Sequence, residues 1–143
     1  MKLRRYLVLA WITFSFIAGA GLSWADSPDQ TPGPDIRAVI ISQIVAFASD
    51  DAEAAWQYAS EDIQQQFVSP DAFMAMVRAR YPAVYRAGSI EFLSLVPHPG
   101  FMVQMLRIKG PNGRFWDSAY TLTETDKGWR IGGVVVEEAE SGI

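Results

Sequence analysis

The chain has 143 residues, a formal net charge of −4 and no cysteine, which excludes disulfides, thiolate catalysis and a lipidated cysteine anchor. A single histidine leaves no ordinary zinc ligand set, so we predict no metal site. An acidic chain without a basic cluster is a poor binder of nucleic acid, and we expect no nucleic-acid partner.

Residues 1–25 have the pattern of a secretory signal peptide. Three basic residues precede an apolar stretch over residues 7–17, and Ser23-Trp24-Ala25 fits the small-x-small rule for cleavage. The apolar stretch is short of the ~20 residues that a membrane span needs. We expect cleavage after Ala25, no stable membrane insertion afterwards, and a location in the periplasm or outside the cell. An uncleaved anchor is the alternative.

Composition divides the remaining chain into three parts. Residues 26–35 hold three prolines and almost nothing apolar, which predicts an extended linker. Residues 36–137 suit a single α+β domain, and residues 138–143 form an acidic tail. Without the leader the formal charge becomes −7, which favours solubility.

The stretch from Asp35 to Asp51 predicts the first helix, with Asp35 as its cap and its end near Ser49. At about 100° per residue its apolar side chains fall on one arc. They are Ile36, Val39, Ile40, Ile44 and Phe47. Gln43 lies inside this arc. An amide there predicts either a polar group facing an enclosed space or a hydrogen bond to free backbone.

Two further helical segments follow. Asp50 stands three residues before Glu53, which predicts a capping box rather than a metal or acid/base site. The second segment extends toward Phe67 and has a possible restart at Ser60.

Ser69-Pro70-Asp71 predicts a third helix, which Pro82 ends. Its expected buried residues are Phe73, Met76, Val77 and Tyr81.

The second half of the chain reads as four strands joined by short turns. They cover residues 89–97, 101–109, 114–124 and 129–137, which are rich in β-branched and aromatic residues. Short links require antiparallel neighbours. We therefore expect N-terminal helices packed on a curved antiparallel sheet of about four strands. Because the second strand is apolar on both faces, a homodimer through the outer sheet face is possible.

Several motifs stand at characteristic spacings: Ile40-x-x-Gln43-x-x-Ala46-Phe47, Ala59-Ser60-x-x-Ile63, Ser69-Pro70-x-x-Phe73-x-x-Met76-Val77, Tyr81-Pro82 and Trp129-Arg130-Ile131-x-Gly133-Val134. Together they resemble an uncharacterised bacterial family, domain of unknown function 4864. The resemblance implies the cone of the nuclear transport factor 2-like (cystatin-like) superfamily, in which helices close over the hollow side of a bent sheet. No activity follows from it.

Such a cone implies an apolar pocket between the helices and the concave sheet face. The candidate ligand-binding residues are Gln43, Tyr81, Tyr85, Trp116 and Tyr120. A filled core is the alternative. The sequence offers no catalytic residue: Asp50 and Asp117 are the only acids near the pocket, and His98 lies between two prolines in a solvated turn.

Three functions remain in view. The first is an exported, non-enzymatic module that binds a small apolar ligand or a protein partner without a cofactor. The second is a cofactor-free lyase or isomerase, which requires a carboxylate beside a phenol inside the pocket. The third is a structural or accessory protein that dimerises.

Overall fold

The helices precede the strands along the chain, as the sequence predicts. The computed structural model describes residues 32–140, so the predicted leader and most of the linker lie outside the described part. The helices are α1 (Gly33–Ala48), α2 (Ala52–Gln57), α3 (Glu61–Gln65), α4 (Pro70–Arg80) and α5 (Pro82–Tyr85). The strands are β1 (Ser89–His98), β2 (Phe101–Lys109), β3 (Phe115–Thr125) and β4 (Gly128–Glu138). Among these elements, no helix combines the length and apolarity that a membrane crossing requires.

The caps around α1 differ from the prediction. The helix begins at Gly33, so Asp35 lies in its first turn, and residues 33–35, expected in the linker, are helical. The helix ends in a Schellman motif: the Asp51 amide donates to Ala46 O at 2.9 Å, and the Asp50 amide donates to Phe47 O at 3.1 Å. Asp50 holds the left-handed position that usually takes glycine, with φ of 55°. It therefore cannot cap α2, and the Asp51 carboxylate accepts from Ala54 N instead, at 3.1 Å.

The predicted restart at Ser60 is confirmed as a full break between α2 and α3. Ser60 Oγ accepts from Ile63 N at 3.3 Å and so caps α3. The backbone between the helices pairs with the sheet: Ile131 N donates to Tyr58 O and Ser60 N donates to Ile131 O, both at 2.8 Å. The helix cannot continue through these residues because their main-chain groups bond to β4.

The third predicted helix is confirmed as α4. Ser69 Oγ accepts from Ala72 N at 3.1 Å, Pro70 takes the first helical position, and Pro82 starts a separate short helix. Its buried residues are Phe73, Met74 and Val77, whereas Met76 is only half-buried. The buried face is therefore turned slightly from the one that the sequence predicts.

The four strands form one antiparallel sheet in the order β1-β2-β3-β4. Its turns carry glycines with positive φ at Gly100, Gly113 and Gly128, the conformation that tight turns require. The helices cover the inner face, and the core forms there. Its most buried sheet residues are Gln104, Leu106, Ile108, Ser118, Tyr120, Leu122 and Ile131.

The outer face of the sheet keeps an apolar centre. Val96 pairs with Val103, and Met105 lies in register with Ala119 and Val135. Val135 is 60% exposed. Beside this centre Arg107 Nε lies 2.9 Å from Asp117 Oδ1. The second strand thus does present apolar residues on both faces, and dimerisation through the outer face stays a prediction.

Candidate functional site

An apolar cavity of about 100 Å³ lies between the helices and the inner side of β4. It is lined by Gln43, Phe47, Ala59, Ile63, Phe73, Met76, Val77, Tyr81, Val84, Ile131, Gly133 and Val134. Gln43 and Tyr81 are the polar side chains of this set. Five of the lining residues keep intermediate exposure, and we call them the mouth of the cavity: Ile63, Met76, Tyr81, Gly133 and Val134.

Gln43 is directed inward, as the helical arc predicts, and is only 2% exposed. Its amide nitrogen donates to Ala55 O at 3.1 Å. Ala55 lies in the last turn of α2, where carbonyl groups lack their usual intrahelical partner. Gln43 thus both lines the cavity and fixes α1 to α2. Both sequence-based interpretations of this amide apply, because different parts of the side chain perform them.

Tyr81 stands where α4 ends and α5 begins. Its amide donates to Val77 O at 2.8 Å, which closes the last turn of α4, and its half-buried side chain forms part of the mouth. The cavity can therefore hold an apolar group, since nearly all of its lining is apolar.

The other three predicted site residues do not line this cavity. Tyr85 is buried beside Arg86, and Trp116 packs close to Gly110. Tyr120 is 0% exposed within the core. Strand alternation places Trp116 and Tyr120 on the correct face of the sheet. The cavity lies beside β4, however, whereas these two residues lie on β3.

Ten of the twelve lining residues were not among the predicted site residues, and four of these ten lie on α5 and β4. Val84 lies on the short helix after Pro82, and Ile131, Gly133 and Val134 lie where β4 is irregular. The pairing shifts there, since Leu122 faces Ile131 and Thr121 faces Gly133, which leaves Gly132 as an extra residue. Two adjacent glycines inside a strand pattern are a signal for such a bulge.

Three buried polar atoms have no hydrogen-bond partner among residues 32–140. They are Gln104 Oε1, Ser118 Oγ and Tyr120 Oη. Gln104 is the register partner of Tyr120, and all three side chains share the inner face of the sheet. Burial raises the pKa of the Tyr120 phenol, so this group stays neutral.

Asp50 joins a cluster on the surface next to the end of α1. The Tyr85 hydroxyl donates to one carboxylate oxygen, and Arg86 Nη2 lies 2.7 Å from the other. Arg86 Nη1 also donates to Phe47 O at 2.7 Å. The hydrogen bond from Tyr85 and the guanidinium of Arg86 lower the pKa of Asp50. The cluster fastens α5 to the C-terminal end of α1.

This cluster is the nearest match to the acid–phenol pair that an enzyme would need, and it lies outside the cavity. The Asp50 side chain is 56% exposed. Asp117 is on the outer face with Arg107, and the exposed His98 stacks on Phe101 with ring centroids 4.7 Å apart. Over residues 32–140 no group of three His, Cys, Asp or Glu side chains could hold a metal ion. The acids and the imidazole described here are therefore not among the residues that line the cavity.

The lowered pKa of Asp50 predicts a pH-dependent stability. Asp50→Asn should lower the melting temperature at pH 7, because it removes the charge that Arg86 meets and keeps the left-handed backbone. A carboxylate with a lowered folded pKa contributes stability above its unfolded pKa of about 3.9 and loses that contribution as the pH falls through the folded value.

Thermal unfolding between pH 7 and pH 2 measures this effect. The difference between wild type and Asp50→Asn should close at the acid end. Asp126→Asn, in the exposed turn between β3 and β4, is the matched control and should show a smaller difference at neutral pH. Equal curves for the two variants would contradict the role given to Asp50.

Comparisons with known proteins agree with this architecture. The family described as "Domain of unknown function (DUF4864)" matches residues 29–142. No curated protein is significantly similar to the sequence. The crystal structure of an NTF-2 like protein of unknown function from Silicibacter pomeroyi DSS-3 is 16% identical, with a TM-score of 0.51, covering 74% of this chain and 94% of that one.

A second NTF-2 like protein of unknown function, from Burkholderia xenovorans LB400, is 13% identical with a TM-score of 0.48 and covers 78% of this chain and 89% of that one. Because both identities are low, we use the Silicibacter structure, which has the higher TM-score, and we compare the fold alone. The Silicibacter comparison shows that the chain has an NTF-2 like fold, an α+β cone.

Proposed function

Because the chain belongs to the family described as Domain of unknown function (DUF4864), with a nuclear transport factor 2-like fold, we propose that it is an exported, non-enzymatic binding module. Its cavity takes up a small apolar group. The leader pattern of residues 1–25 supports export. The cavity supports binding.

The observation that carries this proposal is an apolar cavity with a mouth, between the helices and β4. Its volume is about 100 Å³, and it opens to the surface at the mouth. Drug-sized ligands occupy pockets of about 300–1,000 Å³. The occupant is therefore a group of a few heavy atoms, such as a small ring or the end of a chain.

The lining decides the chemistry of that group. Phe47, Phe73, Val77 and Val84 surround the space with carbon atoms and carry no charge. A charged group would lose its hydration there without a compensating ion pair. This supports an apolar ligand, or an apolar part of a partner, and no charged substrate.

Benzene provides a probe of this proposal, since an engineered apolar cavity of about 150 Å³ is known to bind it. In a methyl NMR titration we expect saturable shifts at Val84 and Ile131, and no such shifts at Val96 on the outer face. Ala59→Leu should abolish the shifts by filling the cavity. Ala75→Leu makes the same change on the exposed side of α4 and should leave them unchanged.

Unsaturable shifts of equal size on both faces, or no shifts at Val84 and Ile131, would refute uptake into the cavity.

A further inference from the structure

Strand β4 lies at one edge of the sheet, and within residues 32–140 the edge that faces away from β3 is paired only at Ile131. There the backbone of residues 58–60 runs parallel to β4 and forms a single bridge through Ala59. Beyond this bridge, no other strand within residues 32–140 pairs with the outer side of β4. The chain leaves the edge at Ser60 because that residue turns the backbone into α3 as its cap.

The direction of the free main-chain groups follows from the pairing with β3. Ala139 N donates to Phe115 O at 2.9 Å, so these opposite residues form a hydrogen-bonded pair. From Ala139 back to the bulge, the amide and carbonyl groups of every second residue, including Val135, therefore point toward β3. The amide and carbonyl groups of Val134 and Val136 point the other way, to the open edge. Their side chains lie on the inner face of the sheet.

The open edge adjoins the mouth of the cavity. Val134 belongs to both, because its side chain lines the cavity while its main chain faces the open edge. Gly133 also lines the mouth. A strand added at Val134 and Val136 would consequently run past the opening, and its side chains on the inner face would point to the cavity.

We propose that β4 binds an extended peptide by strand addition and that one apolar side chain of this peptide enters the cavity. The inference rests on the proposed function and specifies its ligand. Main-chain hydrogen bonds to Val134 and Val136 supply affinity, and the cavity supplies specificity. A volume of about 100 Å³ suits one aliphatic side chain.

Charge defines the rest of the partner. Three exposed acidic residues follow Val134 and Val136 in the chain: Glu137, Glu138 and Glu140. Of these three, Glu138 forms an ion pair with Arg114. A peptide with basic residues beside its apolar anchor complements this end of β4, and an acidic peptide is repelled. A second copy of β4 fits this edge less well. In each copy, the side chains of Val134 and Val136 already lie on the inner face of their own sheet, so they cannot enter the cavity of the other copy.

Selection from a phage-displayed library of random dodecamer peptides tests the proposal. We expect enrichment of peptides that combine a large aliphatic residue with Lys or Arg. Their affinity should fall at least tenfold for Val136→Pro, which removes an outward N–H without removing a bond to β3. Val136→Ala keeps the amide and should bind as wild type does. Should Val136→Pro fail to fold, Ala59→Leu tests the anchor, with the same expected loss.

No enrichment, or peptides that bind Val136→Pro and Ala59→Leu as tightly as wild type, would overturn the proposal. So would light scattering that shows a dimer converted to a monomer by Val136→Pro, since the occupant would then be a second copy. The benzene titration separates this inference from the proposed function. Benzene uptake without peptide binding refutes the peptide alone, and its absence refutes the cavity as a binding site.

Discussion

Phe73→Ala is expected to lower the free energy of unfolding by about 3–5 kcal/mol, the usual result of truncating a buried phenylalanine. Phe73 is buried on α4 and its ring contacts three other aromatic rings. The centroid distances are 6.0 Å to Phe47, 5.7 Å to Trp56 and 5.6 Å to Phe67. These contacts join α4 to α1, to α2 and to the segment that follows α3. The truncation therefore weakens all three contacts. Because Phe73 also lines the cavity, the new void adds to existing space rather than collapsing.

Urea unfolding measures this loss. Phe115→Ala removes a phenyl group that is half exposed at the start of β3 and should cost less than about 1 kcal/mol. A loss below about 1 kcal/mol for Phe73→Ala would contradict the claim that the aromatic rings around Phe73 hold the helices together.

Tyr120→Phe is expected to raise the free energy of unfolding by about 1–3 kcal/mol. The Tyr120 hydroxyl is fully buried and lacks a hydrogen-bond partner among residues 32–140. A buried polar group in this condition costs about 1–3 kcal/mol, and phenylalanine keeps the ring that fills the core. Urea unfolding again measures the change. Tyr58→Phe, at a half-buried position, is the control and should change stability by less than about 0.5 kcal/mol.

A loss of stability on Tyr120→Phe would contradict an unsatisfied hydroxyl and would indicate a partner such as a buried water.

The local features of the fold were predictable because each has a nearby chemical cause. Ser69 followed by proline begins a helix, and Pro82 ends it. The break at Ser60 also carries a local signal, a capping hydroxyl before acidic residues. The arc of α1 placed Gln43 inside the protein, since a helical period determines which side chains share a face.

The cavity could not be placed from the sequence, because its position depends on contacts between distant segments. Alternation along β3 puts Tyr120 on the inner face, yet it cannot say which strand borders empty space. That border depends on the bulge at Gly132 and on the bridge between Ala59 and Ile131. Asp50 illustrates the same limit, since its partners Tyr85 and Arg86 follow 35 and 36 residues later in the chain.

The residues that line the cavity also bear on the choice between the proposed binding function and the enzymatic alternative. A cofactor-free lyase or isomerase would need a titratable group where the substrate lies. The lining set contains an amide and a phenol but no carboxylate or imidazole. The acid–phenol pair that does exist holds α5 on α1 and is already neutralised by Arg86. Its chemistry therefore contributes to stability.

A crystal structure determined under xenon pressure tests the central claim most directly, because xenon enters dry apolar cavities. We expect xenon density inside the space bounded by Val84, Ile131 and Val134, with the surrounding side chains unchanged. A structure in which these side chains close the space, or in which xenon is absent there, would contradict the claim that this cone has a cavity for an apolar group.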